Sequence, residues 1–193
     1  MTRADTTPEE WRRRAAAAPS GVVDGDLRSA WAGLVALDSP VAAEAARVCR
    51  EVVWSQPDDV AGVVAGPSLT VAAHAGPQPF SVLGVAVGFL ARRFETDGDD
   101  ADLDAAVELH DLTVALGDAV WVGPESWRVG WGAALLYGVT GDEAFLATAE
   151  RVADGMCETQ APDGWWGSAA ATAEAAEVLA EIAEAVESRA GVE

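Results

Sequence analysis

Apolar residues recur at intervals of three and four along most of this chain, which is the spacing of one face of an α-helix. On this basis we predict helices over 26–37, 39–54, 81–95, 99–116, 125–139, 141–160 and 168–189. No stretch of the sequence alternates apolar and polar residues regularly enough for a half-buried strand. The spacing therefore predicts an all-α fold, and the length of 193 residues fits a single helical domain.

Two regions of the chain lie outside the main run of predicted helices. Residues 1–25 are predicted to form an N-terminal arm with a helix whose start is marked by Thr7 and Pro8. Residues 55–80 contain four prolines and are predicted to be a long loop, a feature that is often functional in a compact domain. The helical array is thus expected over 26–189.

The predicted helices alternate in character. Segments 81–91 and 129–137 are apolar nearly all round, as expected for inner helices, whereas 101–116 and 143–158 have one apolar face, as expected for outer ones. The two inner–outer pairs also align with each other, since Leu103 matches Leu146 at an offset of 43 residues. Repeated inner–outer hairpins of this period predict an α/α toroid or a solenoid. We expect an α/α-toroid-like array of antiparallel helical hairpins, either a reduced or an open toroid.

The charge of the chain excludes several classes of partner. The net charge is -20, with 32 acidic residues against 12 basic ones, all of which are arginine. Such an acidic surface repels phosphate backbones and anionic lipids, so we predict no nucleic-acid partner and no membrane adsorption. The start of the sequence has no apolar signal region, and its longest apolar run is too short for a membrane span. We therefore predict a cytoplasmic protein.

No motif in the sequence indicates a cofactor or a metal. There is no G-x-G-x-x-G after a strand, no P-loop, no G-x-S-x-G, no H-E-x-x-H and no cysteine–histidine zinc set. Cys49 and Cys157 both fall on the apolar side of predicted helices, which favours ordinary buried thiols. We therefore expect chemistry, if any, without a cofactor.

One stretch carries a resemblance to a known family. Residues 160–166, Gln-Ala-Pro-Asp-Gly-Trp-Trp, satisfy Q-x-x-x-G-x-W and resemble the QW motif of terpene cyclases of the squalene–hopene type. The helices and turns of 81–188 also resemble those of the wider α/α-toroid superfamily, which includes sugar epimerases. The resemblance implies a structural role, in which Gln160 ties up free groups at a helix end and Trp166 stacks over them. Trp165 then remains free to face a ligand.

The resemblance also implies a candidate acid. Asp97-Gly98-Asp99-Asp100 matches D-x-D-D, in which the middle aspartate of protonation-initiated cyclases is the acid, so that Asp99 would take this role. The stretch also aligns with the turn at Gly141-Asp142, however, and a helix N-cap is the favoured interpretation of Asp99.

Tryptophans form the candidate substrate-binding set. Five of the eight lie between 121 and 166, and Trp127 and Trp131 are four apart on one predicted helix. We predict that Trp121, Trp127, Trp131 and Trp165 line a pocket suited to an apolar polyene, to a cation through cation–π attraction, or to sugar rings. The alternative is that they fill the core.

Three further groups complete the candidate site. His74 lies in the long loop, and Glu125 and Arg128 flank Trp127. His74 and Glu125 join Asp99 as candidate acids and bases. Arg128 is a candidate substrate contact. A surface ion pair is the simpler interpretation of Glu125 and Arg128. His110 lies on an apolar stripe, which favours a buried, hydrogen-bonded histidine over a general base.

Three functions remain open from the sequence. The first is a small cofactor-independent cyclase or isomerase that acts on a hydrophobic, isoprenoid- or polyene-like substrate by acid–base catalysis in a Trp-lined cavity. The second is a carbohydrate-acting toroid enzyme of the epimerase or glycosidase kind, and the third is a non-catalytic helical binding module. Because a complete toroid needs more helices than this chain has, a homodimer is the alternative to an open toroid.

Overall fold

The computed structural model describes residues 22, 27–54, 79–123 and 125–190. Within these ranges the chain forms eight helices and no strand, which confirms the all-α prediction. The helices are α1 (Ser29–Val35), α2 (Pro40–Trp54), α3 (Pro79–Asp97), α4 (Asp100–Val114), α5 (Ala119–Val122), α6 (Trp127–Thr140), α7 (Glu143–Thr159) and α8 (Ala169–Ala190). Most of the predicted N-terminal arm and nearly all of the predicted 55–80 loop lie outside the described residues.

The helices pack as successive hairpins around two central members. Helices α3 and α6 make the most extensive contact with each other. Each also packs against the helix that follows it in the chain, α3 against α4 and α6 against α7. Helix α1 contacts α2 and α3, while α8 contacts α6 and, less extensively, α7. The inner row therefore runs α1, α3, α6, α8, because each of these helices touches the next. As expected from their apolar sequences, α3 and α6 lie at the middle of this row.

Glycines allow α3 and α6 to approach closely. A Cβ atom at Gly84 would lie 2.5 Å from the Arg128 carbonyl oxygen, and one at Gly132 would lie 2.5 Å from the Gly84 carbonyl oxygen. The indole of Trp131 covers Gly88 in the same interface, since a Cβ atom there would overlap its ring. The contact leaves no room for side chains at these three positions, and it fixes where Arg128 and Trp131 emerge.

The repeat inferred from the sequence is visible at two turns. Gly98 and Gly141 precede α4 and α7 with φ of 69° and 70°, in the left-handed region that favours glycine. Asp99 and Asp142 follow as the N-caps, and their carboxylates accept the backbone N–H groups of Ala101 and Ala144. The N-cap interpretation of Asp99 is therefore confirmed.

The buried side chains form two clusters. The first joins α1 to α4 around residues such as Val48, Phe89 and Leu109, and the second joins α5 to α8 around residues such as Val152 and Ile182. No helix within the described ranges has the length and apolar character that a bilayer crossing requires.

The prediction of buried thiols is right for one cysteine only. Cys49 is buried, but Cys157 is exposed. On α7 the buried stripe passes through Val152 and Met156. Cys157 follows Met156 by one residue, and a step of about 100° around the helix turns its side chain away from that stripe.

Candidate functional site

A cleft of about 310 Å³ opens between the four helices of the inner row. We call it the central cleft. Its lining residues come from all four helices: Trp31 and Leu34 (α1), Val85 (α3), Arg128 and Trp131 (α6), and Glu174, Glu177, Val178 and Glu181 (α8). The walls are mainly apolar, with one arginine and three glutamates as the charged groups, which is the usual composition of a small-molecule site.

The arginine of the central cleft is already paired. The Nε and Nη2 atoms of Arg128 donate to the Glu174 carboxylate at 2.6 and 3.0 Å, and Nη1 donates to Glu125 at 3.0 Å. Its guanidinium also stacks over the Trp31 ring, 4.8 Å from the centroid. Burial opposes the charge, but the hydrogen bonds and charges of both glutamates outweigh it and raise the pKa of Arg128. The guanidinium is thus neutralised by protein groups.

The acidic wall of the central cleft is formed by one helix. Glu174, Glu177 and Glu181 are spaced three and four residues apart on α8, so they share a face. Glu174 forms an ion pair with Arg128, whereas Glu177 and Glu181 are exposed and pair with no residue in the described part of the chain. Glu125 joins the same charge cluster through Arg128, so carboxylates outnumber the single cation here.

The motif at 160–166 builds a second cleft of about 330 Å³, which we call the turn cleft. It lies between α5, the start of α6, the end of α7 and the turn before α8. Its lining residues carry no charge: Val122, Gly123, Ser126, Trp127, Met156, Thr159, Ala161, Trp165, Trp166 and Gly167.

Hydrogen bonds in the turn explain its residues. The Trp166 indole N–H donates to the Met156 carbonyl at 2.8 Å, so it satisfies a free carbonyl near the end of α7. The Trp166 backbone N–H donates to Thr172 Oγ1 in α8, which ties the two helices together. The Gln160 amide instead donates to the Gly164 carbonyl inside the turn. The helix end is therefore held by the tryptophan, and not by the glutamine as the resemblance implied.

The two described candidates for acid chemistry are held in ion pairs. The Asp99 carboxylate accepts the Ala101 N–H and lies 2.8 Å from Arg50 Nη1, and it lines neither cleft. Glu125 forms an ion pair with Arg128 at 3.0 Å, but Arg128 is partly buried and lines the central cleft, so this is not a plain surface pair. Glu125 also has an unusual φ of 61° for a residue that is not glycine. His74 lies outside the described residues.

The predicted tryptophan set is divided between two sites. Trp131 and Arg128 line the central cleft, whereas Trp127 and Trp165 line the turn cleft. Trp121 lies in the core beneath the Arg151 guanidinium, which is 4.3 Å from its ring, and it lines neither cleft.

Two features of the clefts were missed in the sequence. Trp31 and the acidic face of α8 complete the central cleft, and the spacing of Glu174, Glu177 and Glu181 was the signal that could have identified this face. The contribution of Trp31 depends on the tertiary contact between α1 and α6, for which the sequence carries no local signal.

A buried carboxylate was also missed. Asp102 is 0% exposed and lies 2.7 Å from Arg50 Nη1 and 3.8 Å from Arg93 Nε. Burial raises the pKa of this carboxyl, while the two arginines oppose the rise. The cluster joins α2, α3 and α4, and it is remote from the lining of both clefts. An aspartate on the buried stripe that continues through Ala106 and Leu109 was its sequence signal.

His110 is a core residue, as the sequence favoured. It is buried, its Nε2 lies 3.1 Å from Thr148 Oγ1, and its ring meets Phe145 edge-on at 4.8 Å. Burial lowers the pKa of His110, and the neighbouring Asp111 only partly opposes this. The neutral imidazole is therefore the folded form near neutral pH.

No protein-family model, no curated protein and no solved structure matches this chain. The resemblance to terpene cyclases consequently stays a prediction from residues 160–166. Among the described residues, no group of three or more His, Cys, Asp or Glu side chains is arranged to hold a metal ion. The geometry of the two clefts is therefore the basis for the functional argument.

Proposed function

We propose that the protein is a non-catalytic binding module whose central cleft holds a small organic cation with an apolar body. The observation that carries this proposal is the position of Trp31 and Trp131 beside the carboxylates of Glu177 and Glu181 in one cleft. Aromatic faces attract ammonium and guanidinium groups, and carboxylates add to that attraction. Arg128 stacked on Trp31 is an example of the same contact within the protein.

The charge balance of the cleft favours a cation over a neutral or anionic ligand. Arg128 is the one basic lining residue, and Glu174 and Glu125 already neutralise it. Glu177 and Glu181 then leave an excess of negative charge in the lining of the cleft. A ligand carboxylate or phosphate would meet this excess, whereas an ammonium group would be attracted by it.

The ion pairs of the candidate acids support binding over catalysis. General acid catalysis by Asp99 needs a protonated carboxyl that faces an apolar cavity, but Asp99 pairs with Arg50 and caps α4. Glu125 is likewise engaged by Arg128. The cyclase and carbohydrate-enzyme hypotheses therefore have less support from the described residues and stay predictions.

We also infer that the hairpins form an open segment of an α/α toroid. This is supported by the order of contacts along α1, α3, α6 and α8, which are the members of the inner row. It is also supported by the central cleft, to which all four of these helices contribute. In such a segment the concave side holds the ligand, and the outer helices complete the core.

The test compares choline with dimethylbutanol, its uncharged carbon isostere, by isothermal titration calorimetry. A partly desolvated cation–π contact contributes about 1–2 kcal/mol, so we expect choline to bind about 5- to 30-fold more tightly than the isostere. Equal affinities, or no binding of choline, would contradict the proposed ligand class.

A pair of charge-matched variants locates the site. Replacing Glu177 and Glu181 by Gln should remove most of the preference for choline. Replacing Glu158 and Glu187 by Gln changes the net charge equally, but these exposed residues line neither cleft. If both double variants weaken choline binding to the same extent, the acidic field of the whole protein is responsible and the cleft is not.

A further inference from the structure

We propose that the turn cleft is a second ligand site, which takes a neutral, planar, apolar molecule with a hydrogen-bond acceptor. This site goes beyond the proposed cation-binding function, since it differs in position and in chemistry. Three tryptophans, Trp127, Trp165 and Trp166, line its volume of about 330 Å³. Flat ligands stack on such surfaces, and tryptophan gives a large contact area with little loss of side-chain freedom.

The absence of charge in the lining selects a neutral ligand. None of the described residues that line the turn cleft is acidic, basic or histidine. An ionic ligand would lose its hydration there without gaining a partner of opposite charge, which disfavours its binding. The turn cleft thus has no counterpart of the acidic residues that line the central cleft, and we expect the two clefts to bind different molecules.

The indole N–H of Trp127, an unpaired donor on a residue that lines the turn cleft, indicates that the ligand carries a hydrogen-bond acceptor. Trp127 is 5% exposed, and its Nε1 atom is buried without a hydrogen-bond partner among the described residues. Buried donors in native proteins are nearly always paired, so an unpaired one calls for an explanation. Trp127 lines the turn cleft, and a ligand oxygen that reaches this donor after a small rotation of the ring would supply the missing bond. Trp166 shows the contrasting case, because its indole N–H is paired with the Met156 carbonyl.

The exposure of Trp165 is consistent with a ligand surface. This side chain is 45% exposed, although it belongs to a turn that is otherwise fixed by hydrogen bonds. The indole N–H of Trp166 and the hydroxyl of Thr159 bond carbonyls at the end of α7, so the turn does not require a second tryptophan for that purpose. Exposed aromatic surface next to an apolar cleft is typical of a binding site.

The test uses coumarin, which carries a carbonyl acceptor, and naphthalene, which has a similar shape and no acceptor. Binding is followed by ligand-observed NMR on the full chain. Coumarin should bind at least five-fold more tightly than naphthalene, and Trp165→Ala should weaken both by about ten-fold. Trp31→Ala, in the central cleft, should change neither.

Trp127→Phe separates the acceptor from the stacking surface. It removes the N–H and keeps an aromatic ring, so it should abolish the preference for coumarin and leave naphthalene binding intact. A preference that persists in this variant would overturn the acceptor assignment, and probes that bind equally well to Trp165→Ala would overturn the site. Excess choline should not displace coumarin, so failure of this proposal is distinguishable from failure of the central cleft.

Discussion

Replacing Gly132 with alanine should destabilise the protein, because this residue lies where the two central helices touch. The new Cβ atom would be 2.5 Å from the Gly84 carbonyl oxygen and 3.2 Å from the Val87 side chain. The oxygen belongs to the backbone of α3, so a rotamer change cannot relieve the contact. The helices α3 and α6 must therefore move apart along the most extensive interface of the fold.

The magnitude follows from two opposing effects. Forcing an extra carbon into a well-packed interface costs about 1–3 kcal/mol, and a backbone clash belongs at the upper end of this range. Alanine in place of glycine within a helix stabilises the folded protein by about 1 kcal/mol through its higher helix propensity. The net expectation is a loss of about 2 kcal/mol in the free energy of unfolding, which corresponds to a melting temperature lower by about 4–8 °C for a chain of this size.

Gly138 provides the matched control in the same helix. A Cβ atom there would have no neighbour within 4 Å, so Gly138→Ala gains helix propensity without a clash. We expect it to stabilise the protein by up to about 1 kcal/mol. Guanidinium unfolding of both variants, followed by far-UV circular dichroism, measures the difference. If Gly132→Ala is as stable as Gly138→Ala, the close approach of α3 and α6 is wrong.

Three further perturbations test the core and the turn by the same unfolding measurement. Burial lowers the pKa of His110 in the folded protein below its unfolded value of 6.5. Stability should thus fall as the pH drops below that value, and less steeply in His110→Gln, so equal slopes would contradict this. Asp102→Asn breaks a buried ion-pair cluster and should cost about 3 kcal/mol, whereas the exposed Asp104→Asn should have no effect. Trp166→Phe should cost about 1 kcal/mol through its lost hydrogen bond, and an equal loss in Trp165→Phe would refute that assignment.

The sequence predicted the helices well because their signals are local. The spacing of apolar residues and the Gly-Asp turns before α4 and α7 depend on neighbours within a few positions. The short helix α5 was not predicted, since four residues carry too little periodicity. The burial of Asp102 depends on its contacts with Arg50 of α2, 52 positions away, and with Arg93 of α3, and no local pattern encodes these contacts. Local signals thus predict elements, and they leave the contacts between elements open.

The two tryptophans of α6 show why the candidate site could be predicted only in part. Residues four apart are about 40° apart around a helix, so the sequence correctly put Trp127 and Trp131 near one face. An inner helix, however, has neighbours on several sides, and α6 meets α3, α7 and α8. Trp131 covers a glycine of α3 at the central cleft, whereas Trp127 lines the turn cleft. One helical face thereby contributes to two clefts of different charge, and this difference in charge comes from the neighbouring elements and not from the tryptophans themselves.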